Sequence, residues 1–362
     1  MANYLVIVAT SVGGAERRFI DIFCSLRERG VDLTLVTSAR LAKLAQIDKK
    51  FLPSVVILGA EKSSLLSFCF EYFKWWKKNT RALDKFHYPV NALFFLHFFS
   101  KQVFSISLTN CYYAPRFTLR SRSQLRQYIA MIFARRVDVL NPSIHQAVCS
   151  YKISSAEKIS LTPGGTFVYS ENQANISFIA KRPIVGMISR LIEGKGIFEF
   201  LNILPALWTR LQNEVPPDFC FFIAGHGKLE EEVKERIKTL SDQGIPIKYL
   251  GFIQPKKLLP ECSIVFSLQE ITNYPSRVVA ESLLHGCEVY VSDTGDSRDF
   301  GENICGLHYI NPKLNAKFLS ELILKTLQCQ RNFPHLSRIV QDAKHRFCNE
   351  AVLDYFEDLM LK

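Results

Sequence analysis

The chain has 362 residues, 48% of them apolar and 22% charged, which suits two ordinary domains with cores of their own and excludes disordered or fibrous chains. Its net charge of +11 is unevenly placed: residues 1–170 hold 23 Lys and Arg against 10 Asp and Glu, whereas residues 171–362 hold 22 against 24. No apolar run is long enough to span a bilayer, and no leader precedes the first strand, so a cytoplasmic protein with ten scattered, reduced cysteines is expected.

In chain order, the apolar run Tyr4–Ala9 predicts a strand, and Gly13-Gly14 a tight turn after it. Glu16 to Arg29 has helical spacing, with Phe19, Ile22, Phe23 and Leu26 on one face; Gly30 stops it and Val31–Thr37 reads as the next strand. Strand, glycine turn, helix, strand is the opening of a doubly wound parallel sheet. Further strands are expected at Ser54–Leu58, Val103–Leu108 and Val137–Leu140.

Between them, residues 70–100 mix cations with rings: Phe70, Tyr72, Phe73, Lys74, Trp75, Trp76, Lys77 and Lys78, then Arg81, Lys85 and, over 91–100, four phenylalanines with His97. Such a mixture suits an anionic membrane surface, with rings in the interface and ammonium groups on lipid phosphates. The alternative is a partly buried helix whose lysines face water. Nucleic acid is disfavoured, since zinc-finger spacing and an aromatic RNA-binding strand are both lacking.

After a polar stretch at Tyr169–Arg182 the alternation restarts. Strands are expected at Ile184–Ile188, Phe219–Ala224, Ile247–Leu250, Ile264–Leu268 and Glu288–Ser292, with helices at Ile197–Leu211, Lys228–Leu240, Lys256–Pro260 and Ser276–His285. A final helix over Asp342–Leu361 carries the stripe Phe347, Val352, Tyr355, Phe356 and Met360. Two Rossmann-like α/β domains are therefore expected, at 1–175 and 176–345, with 346–362 as a terminal helix.

Ligands of open parallel sheets bind at the carboxyl ends of strands, where helix N-termini present N–H groups. Four turns meet that condition: Gly13-Gly14; Ser189 to Gly196, with Arg190 and Lys195 around a flexible turn; Gly225-His226-Gly227; and Asn273-Tyr274-Pro275-Ser276-Arg277, leading to Glu281. Two cations around a flexible turn suit a diphosphate. The dinucleotide and P-loop glycine patterns, HExxH, a D-x-D pair and a nucleophile elbow are all missing; Asp293, Asp296 and Asp299 read as a polar loop, and no metal or other cofactor is expected.

The order of these pieces, each at a strand-to-helix junction, resembles the retaining glycosyltransferases of family 4, which have the GT-B fold; the likeness spans the chain and is strongest from Ile184 to Asp299. It implies two Rossmann-like domains facing across a cleft, nucleotide sugar on the second and acceptor on the first, and a last helix crossing back to the first. Arg190 and Lys195 then match the pair that neutralises the donor diphosphate, and Glu281 the second glutamate of the family's E-x7-E motif, a ribose ligand. Gly225 and Gly227 match the turn lining the nucleotide, Ser276 and Arg277 the helix start facing the donor, and Gly13 and Gly14 the acceptor-side loop. Two positions depart from the pattern. Asn273 stands where the first motif glutamate belongs, with a helix-capping turn residue as the alternative reading. The family's histidine in the first domain is not evident, which leaves Asn110, or else His87, a residue type more often structural in such a setting.

The implied activity is a metal-independent, retaining transfer from a UDP- or GDP-sugar to a glycan hydroxyl. The acceptor is expected to be lipid-linked, as in lipopolysaccharide, capsule or exopolysaccharide assembly, with the enzyme on the inner face of the cytoplasmic membrane. The alternatives are a degenerate relative that binds nucleotide sugar or partner enzymes without catalysis, and a non-hydrolysing sugar-nucleotide epimerase.

Overall fold

The computed structural model describes residues 1–9, 12–90, 93–100, 102–108, 122–150, 155–164, 181–329, 333–348 and 350–361. Asn110 and most of the polar stretch at 169–182, with the expected 175/176 boundary, lie outside them. The chain divides into two compact units, Met1–Tyr169 with Asn349–Lys362, and Ser170–Cys348.

The first unit opens with β1 (Asn3–Ile7), α1 (Gly14–Glu28), β2 (Thr34–Ser38), α2 (Ala39–Ala45), β3 (Val55–Leu58) and α3 (Leu65–Asn79). It continues with β4 (Lys85–Val90), a 3-10 turn at Phe94–Phe99, β5 (Val103–Leu108), α4 (Arg122–Phe133), β6 (Arg136–Val139), α5 (Pro142–Ser150) and β7 (Ile159–Leu161). These seven strands form one parallel sheet in the order β3-β2-β1-β4-β5-β6-β7. Local chemistry sets the helix starts. Glu16 Oε2 accepts the Gly13 N–H at 2.8 Å, Ser38 Oγ the Leu41 N–H at 3.1 Å, and Ser64 Oγ the Ser67 N–H at 3.2 Å.

The strand Lys85–Val90 is the main difference from the sequence reading, which took 70–100 as one basic aromatic surface. Phe86, His87 and Tyr88 are buried in mid-sheet between β1 and β5. Buried Phe68 and Tyr72 turn α3 inward, while Leu66, Phe70, Phe73, Lys74, Lys77 and Lys78 stay exposed. A two-faced helix therefore replaces a uniform patch.

His87 is not a ligand-facing residue. Its Nδ1 lies 2.8 Å from Ser105 Oγ and its Nε2 3.0 Å from Ser107 Oγ, so both nitrogens are used by the neighbouring strand. The ring also packs against Phe19 and Phe356. A second buried histidine, His97, holds Tyr88 Oη at 2.8 Å and stacks on Phe104.

The second unit contains β8 (Arg182–Ile188), α6 (Ile197–Leu211), β9 (Cys220–Ala224), α7 (Glu230–Asp242), β10 (Ile247–Tyr249), α8 (Pro255–Leu258) and β11 (Cys262–Ser267). Next come α9 (Arg277–Leu284), β12 (Glu288–Ser292), β13 (Leu307–Ile310), α10 (Ala316–Cys329) and α11 (Phe333–Phe347). Its parallel sheet runs β10-β9-β8-β11-β12-β13, so the strand order reverses between β8 and β11. The apolar stripe of α6 (Phe200, Leu201, Leu204, Leu207 and Leu211) fills the core over this sheet.

The last expected helix is two helices. α11 ends at Phe347, whose ring packs on Phe300 of the second unit, and α12 (Glu350–Leu361) follows after a break. Val352, Leu353, Phe356, Leu359 and Met360 join the core of α1, β1 and β2 in the first unit. Arg29 pairs with Asp354 at 2.7 Å and Arg136 with Asp358 at 2.6 Å; Tyr355 Oη donates to buried Asp138 at 2.7 Å. The two stripes serve different cores but share one period, which is why the continuous pattern misled.

Burial, with the Arg18 guanidinium nearby, pushes His87 down to about 3, and burial pushes His97 down to about 4. The unfolded chain takes up protons near 6.5 that the folded chain refuses, so stability is full above about pH 6.5 and falls as pH drops toward these values. Urea unfolding between pH 7 and 4 should show a loss approaching about 1.4 kcal/mol per pH unit for each histidine. His87→Gln and His97→Gln should each flatten that slope, whatever they cost in stability at pH 7.

Candidate functional site

The strand reversal puts the loops after β8 and β11 side by side at the carboxyl edge of the second sheet. Each is tied to its neighbours through the backbone. Ser189 N–H donates to Ala224 O (3.0 Å), Leu191 N–H to His226 O (2.9 Å), Glu270 N–H to Gly194 O (3.1 Å) and Gly225 N–H to Gly251 O (2.8 Å). So the turns carrying Arg190, Lys195, Gly225, Gly227 and Asn273 form one hydrogen-bonded edge.

Glycine is required by this closeness. A Cβ on Gly225 would stand 1.8 Å from Ser189 O, one on Gly227 2.2 Å from Leu191 O, and one on Gly196 2.1 Å from Leu268 O. Gly225 and Gly227 thus have a structural task beside any contact with a ligand: they let the second turn lie directly on the first.

Arg190 is exposed on this edge. Lys195, half-buried, donates from Nζ to Gln269 Oε1, a partner that the sequence reading missed. Gln269 is itself held fast: its carbonyl accepts Ser292 Oγ at 2.8 Å and Thr294 Oγ1 at 2.9 Å, and its N–H donates to Asn273 Oδ1 at 3.2 Å.

Asn273 is not the helix-capping residue of the alternative reading, since Ser276 holds that place. Asn273 is 1% exposed. Oδ1 also accepts Ser267 Oγ at 2.8 Å, and Nδ2 donates to Ser292 O at 2.8 Å and Ser292 Oγ at 2.7 Å. Its side chain therefore neither caps a helix nor faces solvent. It ties the end of β11 to the end of β12 and, through Gln269, sets the place of Lys195. A neutral amide suits this position because donors and acceptors both surround it.

Ser276 occupies the N-cap of α9 without a side-chain cap bond. Arg277 and Glu281 pair within the helix, Nε to Oε1 at 2.7 Å, with side chains 17% and 16% exposed. At the ends of β9 and β10, His226 meets Phe252 edge to face at 5.2 Å, and the Phe252 ring is 74% exposed. In the first unit, the Gly13 N–H is occupied by Glu16, while Gly14 has open space around its Cα. Among the described residues, no group of three or more His, Cys, Asp and Glu is placed to hold a metal ion, and no helix is long and apolar enough to cross a membrane.

No protein-family model and no curated protein matches the sequence. Solved structures do match. Anabaena HepE, solved with UDP, superposes with a TM-score of 0.68 at 17% identity over 99% of both chains. The pneumococcal O-GlcNAc transferase GtfA, solved with UDP and GlcNAc, gives 0.70 at 10% identity over 99% of this chain and 98% of that one. WaaG, a glycosyltransferase involved in lipopolysaccharide biosynthesis, gives 0.63 at 14% identity over 99% of both chains. The likeness is one of fold: this chain has the α/β architecture of the GT-B glycosyltransferases, with parallel sheets of seven and six strands.

Gly225→Ala forces a methyl group into a backbone oxygen at a φ of +141° and should cost roughly 1–3 kcal/mol or more. Asn273→Glu, which puts a carboxylate in place of the amide, should destabilise by a similar amount because the space is filled and the Ser292 carbonyl faces it. Urea midpoints of the variants check both.

Proposed function

We propose that the protein is a glycosyltransferase that takes a sugar from a nucleoside-diphosphate sugar held on the second unit. The observation that carries the reading is the edge at the β8/β11 reversal, where Arg190 and Lys195 flank the turn into α6 and Lys195 is positioned by Gln269. A departing nucleoside diphosphate gains negative charge as the glycosidic bond breaks, and fixed cations beside a helix N-terminus stabilise it. Glu281 accepts ribose hydroxyls on the oxygen turned away from Arg277, and the exposed ring of Phe252 offers an apolar face to a planar base. The UDP and sugar ligands of the structurally similar HepE and GtfA support the same substrate class.

Transfer is retaining and metal-independent in this reading. The acceptor hydroxyl attacks on the face the phosphate leaves, and the phosphate takes its proton, so no protein nucleophile is assigned. Asn273 acts as a positioning residue. The acceptor is a glycan hydroxyl, lipid-linked, in surface polysaccharide assembly on the cytoplasmic side of the membrane. The exposed Leu66, Phe70 and Phe73 beside Lys74, Lys77 and Lys78 on α3 support contact with anionic lipid. The rival reading, a binding protein without catalysis, draws on Asn273, which brings no charge to the sugar.

Calorimetry with UDP and GDP tests the donor site. One of them should bind, and Arg190→Ala or Lys195→Ala should weaken it roughly 10–100-fold, the worth of one charge-assisted hydrogen bond; binding of neither overturns the reading. Donor turnover with crude lipid acceptors separates the enzyme from the binding protein. Flotation with anionic liposomes should fall as salt rises and with Lys74, Lys77 and Lys78 replaced by Gln; indifference to lipid charge removes the membrane role.

A further inference from the structure

At the amino edge of the second sheet, opposite the loops described above, four side chains form a line. Glu288, the first residue of β12, is 5% exposed at its side chain, and its two oxygens are held by two imidazoles: His308 Nε2 at 2.6 Å and His335 Nε2 at 2.5 Å. His308 lies stacked on Tyr290 at 4.7 Å, which fixes it from behind. Burial resists ionisation of Glu288, yet the bonds from His308 and His335 outweigh it and hold the carboxyl below its usual value.

An ionised carboxylate only accepts hydrogen bonds, so the His335 proton sits on Nε2 and Nδ1 is the basic nitrogen. That nitrogen faces Cys305 Sγ at 3.9 Å. The Cys305 backbone is held as well. Its N–H donates to Asp342 Oδ2 at 3.0 Å, and the next residue, Gly306 at a φ of +78°, lies so close to α11 that a Cβ there would stand 2.9 Å from the Ile339 side chain. Because Cys305 and Glu288 address opposite nitrogens of His335, one metal ion cannot meet all three. The layout is instead that of nucleophile, base and orienting carboxylate.

We propose that Cys305, His335 and Glu288 form a thiol–imidazole–carboxylate relay that makes Cys305 a modification site for low-molecular-weight disulfides. As the Cys305 sulfur attacks one sulfur of the disulfide, its proton passes to His335 Nδ1. The reagent's S–S bond breaks, a mixed disulfide forms on Cys305, and the released thiolate takes a proton from the imidazolium that Glu288 has held. One disulfide and one thiol enter and one of each leaves, so electrons balance.

The charges around the thiol sharpen the test. Burial, Glu288 and Asp342 raise Cys305 above the ordinary thiol value, against Arg338 and the Gly306 N–H. The resting group is therefore a thiol, and its reactivity depends on the base. Cys149 on α5 serves as an internal comparison: His145 Nε2 lies 3.8 Å from its sulfur, but among the described residues no carboxylate backs that ring.

The intact protein is treated with oxidised glutathione across pH 6–9 and adducts at each cysteine are followed by peptide mass spectrometry. Cys305 should react at least tenfold faster than Cys149. His335→Gln and Glu288→Gln should slow Cys305 at least tenfold, move its profile to higher pH, and leave Cys149 unchanged. Continued protection of buried Cys24 and Cys262 reports that each variant is folded. Equal rates at Cys305 and Cys149 in the wild type overturn the proposal, as does an unmoved profile in a folded variant; should both variants unfold, the wild-type ranking decides.

Discussion

At Gly196, Gly225 and Gly227 the backbone of the second unit approaches itself so closely that a methyl group has no room. Bare chain packed on bare chain is what holds the loop after β8 against the turn after β9 on one side and the end of β11 on the other. Arg190 and Lys195 ride on that loop, so their placement is inherited from contacts that carry no charge. Of the two, Lys195 is also held at its tip by Gln269, whereas the Arg190 side chain reaches into solvent from a fixed backbone.

A second level of order lies beneath the cations. Asn273, sealed from water, gathers hydroxyls from Ser267 and Ser292 and an amide N–H from Gln269, and Gln269 in turn receives Lys195. A charge at that depth would carry a large desolvation cost, whereas an amide satisfies donors and acceptors together. The neutral residue at 273 is therefore matched by the local network around it.

The alternation of strands and helices was legible because parallel strands buried on both faces are short apolar runs closed by turns, as at Ile184–Ile188 and Glu288–Ser292. The glycine turns and the two cations were legible by spacing. Lys85–Val90 was not, since Lys, His and Pro interrupt its apolar run and the two nitrogens of His87 find their partners, Ser105 and Ser107, on another strand. Nor was the inward face of Asn273, whose partners come from three separate segments. The break after Phe347 was hidden because an apolar stripe has the same period whichever core it enters. The Cys305–His335–Glu288 line joins residues from a strand, a turn and a helix, and no local spacing announces it.

The path of the last helix bears on how the chain is made. Residues 350–361 close the apolar underside of α1, with Phe356 against Phe19 at 5.4 Å, yet they are translated after every residue of the second unit. On the ribosome the later-made unit has all its strands and helices available first, while the earlier-made sheet waits with an uncovered oily flank. Chaperone demand during synthesis should thus fall on the amino-terminal half, the part that emerges first and is finished last.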